Sequence, residues 1–190
     1  MEALLTSTAV VALAEIGDKT QLLAIVLATR FKKPLPIILG ILVATMANHF
    51  LAALVGQQVA GLFDGRWFRI AVAVSFIAMA AWTLIPDKLD DDDDAKPARF
   101  GAFLTTVAAF FLVEMGDKTQ VATIALGAQY RDVLAVMTGT TLGMMIANVP
   151  AVFLGNALIA RVPLGTVRII AALLFLVIGL WLLASLAGLV

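Results

Sequence analysis

Apolar residues fill this chain in long unbroken blocks rather than in the alternation that marks a half-buried strand. Six blocks stand out, at about Ala3–Thr29, Pro34–Gly56, Phe68–Ile85, Gly101–Gln129, Val133–Ile159 and Val167–Leu189. Each reaches or approaches the roughly 20 residues that an α-helix needs to cross the core of a bilayer. The breaks carry turn chemistry: Arg30-Phe31-Lys32-Lys33-Pro34, Asp64-Gly65-Arg66, Arg131-Asp132 and Arg161-Val162-Pro163. Pro34 and Pro36 suit a helix start, and Pro86 suits a stop. The pattern predicts an all-α integral membrane protein with six transmembrane helices. Continuous apolar runs argue against barrel strands. The first block lacks a basic leader and is too long for a signal-peptide core, so it reads as a retained span.

Composition narrows the function. Of 190 residues, 62% are hydrophobic and 14% charged, with a mean hydropathy of +1.04. A soluble domain carries roughly 45–50% apolar and about 25% charged residues. That excludes an ordinary soluble enzyme and a disordered tail. Thirteen basic and thirteen acidic residues cancel, which also argues against a nucleic-acid partner. With no Cys, disulfides and thiolate metal sites are excluded.

The basic residues predict an orientation. Loops after spans one, three and five hold Arg30, Lys32, Lys33, Lys88, Lys96, Arg99, Arg161 and Arg168, whereas the opposite side holds Arg66, Arg69 and Arg131. The more basic loops stay in the cytoplasm, so both termini are expected outside.

The chain also repeats itself. Glu15-Ile-Gly-Asp18-Lys19-Thr20-Gln21 recurs as Glu114-Met-Gly-Asp117-Lys118-Thr119-Gln120, and Gly40, Gly56, Arg69 and Trp82 match Gly139, Gly155, Arg168 and Trp181. Two homologous three-span halves follow, at about 1–86 and 100–190, joined by an acidic linker at 87–99. Because three is odd, the second half enters the membrane from the opposite side. Inverted repeats of this kind are common in secondary transporters, whose sites lie near the midplane.

The best-matched segment is also the most polar one, inside spans one and four. An Asp or Lys at a helix centre costs roughly 2.5–3.5 kcal/mol on insertion scales, so such residues are functional candidates. Glu15 and Asp18, three apart, would share a face of a continuous helix. Gly17 and Gly116 permit a bend that frees backbone carbonyls. Carboxylate and amide oxygens from Glu15, Asp18, Gln21, Glu114, Asp117 and Gln120, with Asn48 and Asn148 on the second span of each half, are hard donors that suit Mn, Ca or Mg. The four carboxylates sum to −4 and Lys19 with Lys118 return +2. One divalent cation or two protons would balance the remaining −2, and competition for the same oxygens is a simple basis for antiport. Glu15, Asp18, Glu114 and Asp117 are therefore also the proton-coupling candidates. Thr20 and Thr119 could donate to the carboxylates, bind metal or bond back to their own helix.

Twin Glu-x-Gly-Asp-Lys-Thr motifs on two three-span halves resemble the GDT-type cation/proton exchangers (uncharacterised protein family 0016), which include the MneA-type bacterial manganese exporters. The resemblance covers nearly the whole chain. It implies exchange of Mn2+, or secondly Ca2+, for protons, with Glu15, Asp18, Glu114 and Asp117 central. For a bacterial member it implies manganese efflux across the inner membrane, with lipid, metal ion and protons as partners and no tightly bound cofactor. The rival reading is a channel, or an exporter of small organic cations or amino acids, in which the acids hold an ammonium group. No nucleophile constellation suggests an enzyme.

Other features have bland and sharp readings. His49, the lone His, follows Asn48 and corresponds to Val149; it reads as packing or hydrogen bonding, or as a one-sided influence on proton coupling. Met46, Met144 and Met145 read as flexible packing. Gly139, Gly143, Ala147 and Ala151 recur every four positions, which suits close helix contact. Pro150 is expected to kink span five. Asp90–Asp94 read as a solvated connector, or as a funnel that concentrates cations. Replacing these five by Ser should leave metal flux into vesicles unchanged if they only connect; a slower flux at low metal would favour the funnel.

Overall fold

A computed structural model describes residues 1–63, 65–85, 101–155 and 163–189. Among these residues the chain forms α-helices and no strands: α1 (Glu2–Glu15), α2 (Lys19–Phe31), α3 (Pro34–Leu62), α4 (Arg66–Thr83), α5 (Ala102–Glu114), α6 (Lys118–Tyr130), α7 (Val133–Leu154) and α8 (Leu164–Leu186). The 87–99 linker with Asp90–Asp94, and Asp64, Pro86 and Arg161, lie outside the described residues.

Helices α3, α4, α7 and α8 are each long and apolar enough to cross a membrane. They coincide with four of the six expected spans, and Pro34 opens α3 as its sequence suggests. The other two expected spans, Ala3–Thr29 and Gly101–Gln129, are not single helices. Each is a pair of half-helices, α1–α2 and α5–α6, interrupted inside the polar motif. The cause is local. Ile16 and Met115 turn extended after the last helical residue. Gly17 and Gly116 then take φ of +84° and +80°, a region that side chains disfavour and glycine does not. Asp18 and Asp117 follow, again extended, as N-caps of the second half-helices.

The two motif segments share local backbone geometry. Besides the matching breaks, α2 and α6 both end on left-handed residues, Lys32 at φ 53° and Arg131 at φ 54°. Each is followed at once by a long helix, α3 or α7.

Close helix approach holds the two sets together. α1 packs along α7, and α5 along α3. A Cβ at Gly139 would lie 2.5 Å from the Leu4 carbonyl oxygen, and one at Gly143 would lie 2.7 Å from that of Thr8. At the matching contact, a Cβ on Gly40 would lie 2.9 Å from the Phe103 carbonyl oxygen. The small-residue stripe of α7 is thus a packing face, as its spacing suggests. α4 and α8 form a further pair, joined by Phe76 and Phe175 with ring centroids 6.3 Å apart.

Burial differs from that of a water-soluble domain in what is exposed and in how many polar groups are inside. Leu39, Val43, Leu173 and Val177 point outward, while Glu15, Thr20, Asn48, His49, Glu114 and Asn148 are buried. Apolar side chains facing outward, with the polar groups held inside, are what lipid as solvent requires. Non-helical backbone at membrane depth is tolerated where protein surrounds it.

The tightest of these contacts is at Gly56, where a Cβ would fall 2.1 Å from the Ile124 carbonyl oxygen on α6. Gly56→Leu should therefore force α3 from α6 and destabilise the protein by about 1–3 kcal/mol, the usual range for overpacking. The check is a lower thermal midpoint in detergent than the wild type, with Gly61→Leu, in open space, unchanged.

Candidate cation site

Glu15 ends α1 and Glu114 ends α5, while Asp117 caps α6. One carboxylate oxygen from each of these three buried residues lies within 4.8 Å of the other two. Residues 99 apart in the sequence thus meet where the two broken segments face each other. Asp18, the counterpart of Asp117, is buried at the N-cap of α2 and stands outside this cluster. Nor does Asp18 share a helix face with Glu15: the break at Gly17 separates them, and the link is a backbone bond from the Asp18 N–H to the Glu15 carbonyl, 3.1 Å.

The three carboxylates are held differently. Thr20 Oγ1 donates to Glu15 Oε2 at 2.5 Å, and Thr119 Oγ1, from the other half, donates to Glu15 Oε1. Both threonines therefore serve one glutamate rather than bonding back to their helices. Lys19 Nζ approaches Asp117 Oδ1 at 3.4 Å, an ion pair between the halves. Glu114 has neither oxygen in a hydrogen bond among the described residues, and the same holds for Asp117 Oδ2. Those oxygens are available to a cation. Neither Asp18 nor Asp117 uses its side chain to cap its helix, although Asp ordinarily does so at this position.

The break also supplies dipoles. α1 and α5 end at the site and point their carbonyl ends to it, while α2 and α6 begin there with their N–H ends. Carbonyl ends favour cations and N–H ends favour anions. The site can therefore hold carboxylates and a cation together.

Of the four expected amide ligands, Gln21, Gln120 and Asn48 have their oxygens engaged here. Gln21 Oε1 accepts from the Gly17 N–H at 3.0 Å, and its Nε2 donates to the Ala147 carbonyl at 2.9 Å. Gln120 Oε1 accepts from the Gly116 N–H at 2.7 Å, and its Nε2 donates to Asn48 Oδ1 at 2.5 Å. Asn48 in turn donates to the Phe111 carbonyl at 3.3 Å. Each Gln thus braces the unwound turn whose N–H has lost its helical acceptor. Asn148 donates from Nδ2 to the Met144 carbonyl and sulfur, at 3.1 and 2.9 Å, while its buried Oδ1 has no hydrogen-bond partner among the described residues. Lys118 is buried and donates from Nζ to the Ile85 carbonyl at 2.8 Å. Pro150 lies inside α7, close in sequence to Asn148.

One residue enters the neighbourhood that the motifs did not bring there. His49 is fully buried, and its Nε2 lies 3.7 Å from Glu114 Oε1. Its signal in the sequence was position: a lone ionisable residue, next to Asn48, inside an apolar span.

Comparisons with known proteins give the chain a family and relatives. The family model described as "Divalent cation/proton antiporter GDT1" matches residues 3–91 and 102–188. A Vibrio cholerae serotype O1 protein named "Putative manganese exporter" is 50% identical over 181 residues, covering 95% of this chain and 90% of its own. The rice protein "GDT1-like protein 3" (Oryza sativa subsp. indica) is 30% identical over 92% of this chain and 71% of its own. "GDT1-like protein sll0615" of Synechocystis is 29% identical over 87% of this chain and 88% of its own. No solved structure matches the chain.

Gln120 links the unwound turn to α3 through Asn48. Gln120→Leu should remove two hydrogen bonds and leave the Gly116 N–H without its side-chain acceptor, lowering stability by about 0.5–1.5 kcal/mol. Thermal unfolding in detergent reads this directly; an unchanged midpoint would deny the brace.

Proposed function

This chain belongs to the GDT1 family of divalent cation/proton antiporters, and on that premise we propose that it exports Mn2+ in exchange for protons at the cluster of Glu15, Glu114 and Asp117. The observation that carries the proposal is this meeting of three buried carboxylates, drawn from both halves of the chain at two helix breaks. Buried charges need partners, and Lys19 offsets only one of three. The balance is −2 when all three acids are ionised. One divalent cation neutralises it, and so do two protons. A site that is neutral with either load, and charged with neither, favours exchange over leak. Ca2+ is the second candidate, since the same oxygens suit it.

In this reading residues 1–86 and 100–190 are inverted repeats of three spans each, and the 87–99 linker is cytoplasmic. The half-helix pairs α1–α2 and α5–α6 complete the six crossings. Rocking of the two repeats exposes the midplane site alternately to the two sides. Asp18, buried outside the cluster, shares the metal and proton work with the triad, and Lys118 offsets its charge, so the balance stays −2 as in the count of four acids and two lysines. Lys19 positions Asp117, while Thr20 and Thr119 hold Glu15. The basic loops place both termini outside a bacterial inner membrane. Cation loading from the cytoplasm then gives efflux. The 50% identical relative named as a manganese exporter supports manganese first.

Proteoliposomes test this. Mn2+ entry should be driven by an outward-directed proton gradient, and internal pH should rise as protons leave in exchange. Glu114→Gln, Asp117→Asn and Asp18→Asn should each abolish exchange, measured by Mn2+ quenching of an internal dye. Full exchange by the Glu114 and Asp117 variants would sink the assignment. Flux independent of the proton gradient would favour a channel.

A further inference from the structure

His49 is the only His in the chain. It projects from α3 into the bundle, is fully buried, and neither ring nitrogen has a hydrogen-bond partner among the described residues. A buried imidazole that only packs leaves its polar atoms uncompensated. Its Nε2 lies 3.7 Å from Glu114 Oε1, an oxygen that likewise has no hydrogen-bond partner among the described residues. Two donors each about 2.1 Å from one ion lie about 3.0 Å apart at a right angle and about 4.2 Å apart across it. The observed separation falls between those limits.

We propose that His49 ligates the transported cation from the Glu114 side of the site and makes it selective for a transition-metal ion over Ca2+ and Mg2+. This rests on the exchange proposed above. The chemistry is direct. Carboxylate oxygens accept Ca2+, Mg2+ and Mn2+ alike, whereas an imidazole nitrogen is a softer donor that favours first-row transition ions. Three carboxylates alone would discriminate weakly. One nitrogen donor, added to a site otherwise built of oxygen, tilts the choice without a thiolate, and this chain has none. The position also explains why the ligand is unpaired in the repeat. The counterpart is Val149, and a single ion needs one such nitrogen.

The test uses the purified full-length protein without a polyhistidine tag. Pulsed electron paramagnetic resonance of the Mn2+-loaded wild type should show nitrogen coupling from a bound imidazole. That coupling should change to the 15N pattern when only histidine is 15N-labelled, an assignment free of ambiguity because there is one His. In proteoliposomes, His49→Ala should still move Ca2+, while its preference for Mn2+ over Ca2+ falls about tenfold or more, the scale of losing a group that tunes a metal site. If the wild type exchanges Mn2+ for protons but shows no histidine coupling, and His49→Ala keeps the wild-type preference, His49 is no ligand and the exchange proposal stands. If the wild type exchanges no divalent metal, both readings fall. Should His49→Ala not fold, the labelled wild type decides alone.

Discussion

Three carboxylates within 4.8 Å of one another in an apolar bundle repel strongly, because the surrounding medium screens charge far less than water does. Much of the structure around them answers to that repulsion. The helices break where the acids stand, so that backbone ends as well as side chains face the site. Two threonine hydroxyls converge on Glu15. Lys19 reaches across from the other half to Asp117. What remains unanswered, at Glu114 and one oxygen of Asp117, is the capacity to take up a cation or protons.

A break inside a membrane helix creates its own difficulty, since freed backbone groups find no water there. Gln21 and Gln120 meet it in the same way, each folding back to accept the N–H of the glycine at the break. Close packing of α1 on α7 and of α5 on α3 holds the broken segments in the bundle. Glycines at these contacts are needed because a methyl group would collide with the neighbouring backbone. Packing and chemistry are therefore linked: the close contacts fix the broken segments that carry the acids.

The two halves share a backbone pattern but not its contacts. Both threonines bind Glu15 and neither binds Glu114. Gln21 reaches the α7 backbone, whereas Gln120 reaches the Asn48 side chain. Gly17 faces Leu164, only 2.7 Å from where a Cβ would sit, while Gly116 faces open space. In the proposed reading of the halves as inverted repeats, a second arrangement exchanges their roles. Alternation between two such arrangements is what the proposed antiport requires.

Local chemistry made much of this legible in the sequence. The length and continuity of the apolar blocks set the helices, because lipid demands internally bonded backbone. The repeated motif identified Glu15, Glu114, Asp117 and their neighbours, because ionisable groups are too costly at that depth without a use. Gly17 and Gly116 marked the breaks. Tertiary structure alone decided which atoms meet. Spacing of three put Glu15 beside Asp18 on one face, but a positive-φ glycine between them sends the chain elsewhere, and the partner becomes Asp117 of the other half. It also turned Gln21, Gln120 and Asn48 into braces and carried His49 to Glu114. Such contacts depend on how helices distant in sequence pack, and residue type and spacing cannot specify that by themselves.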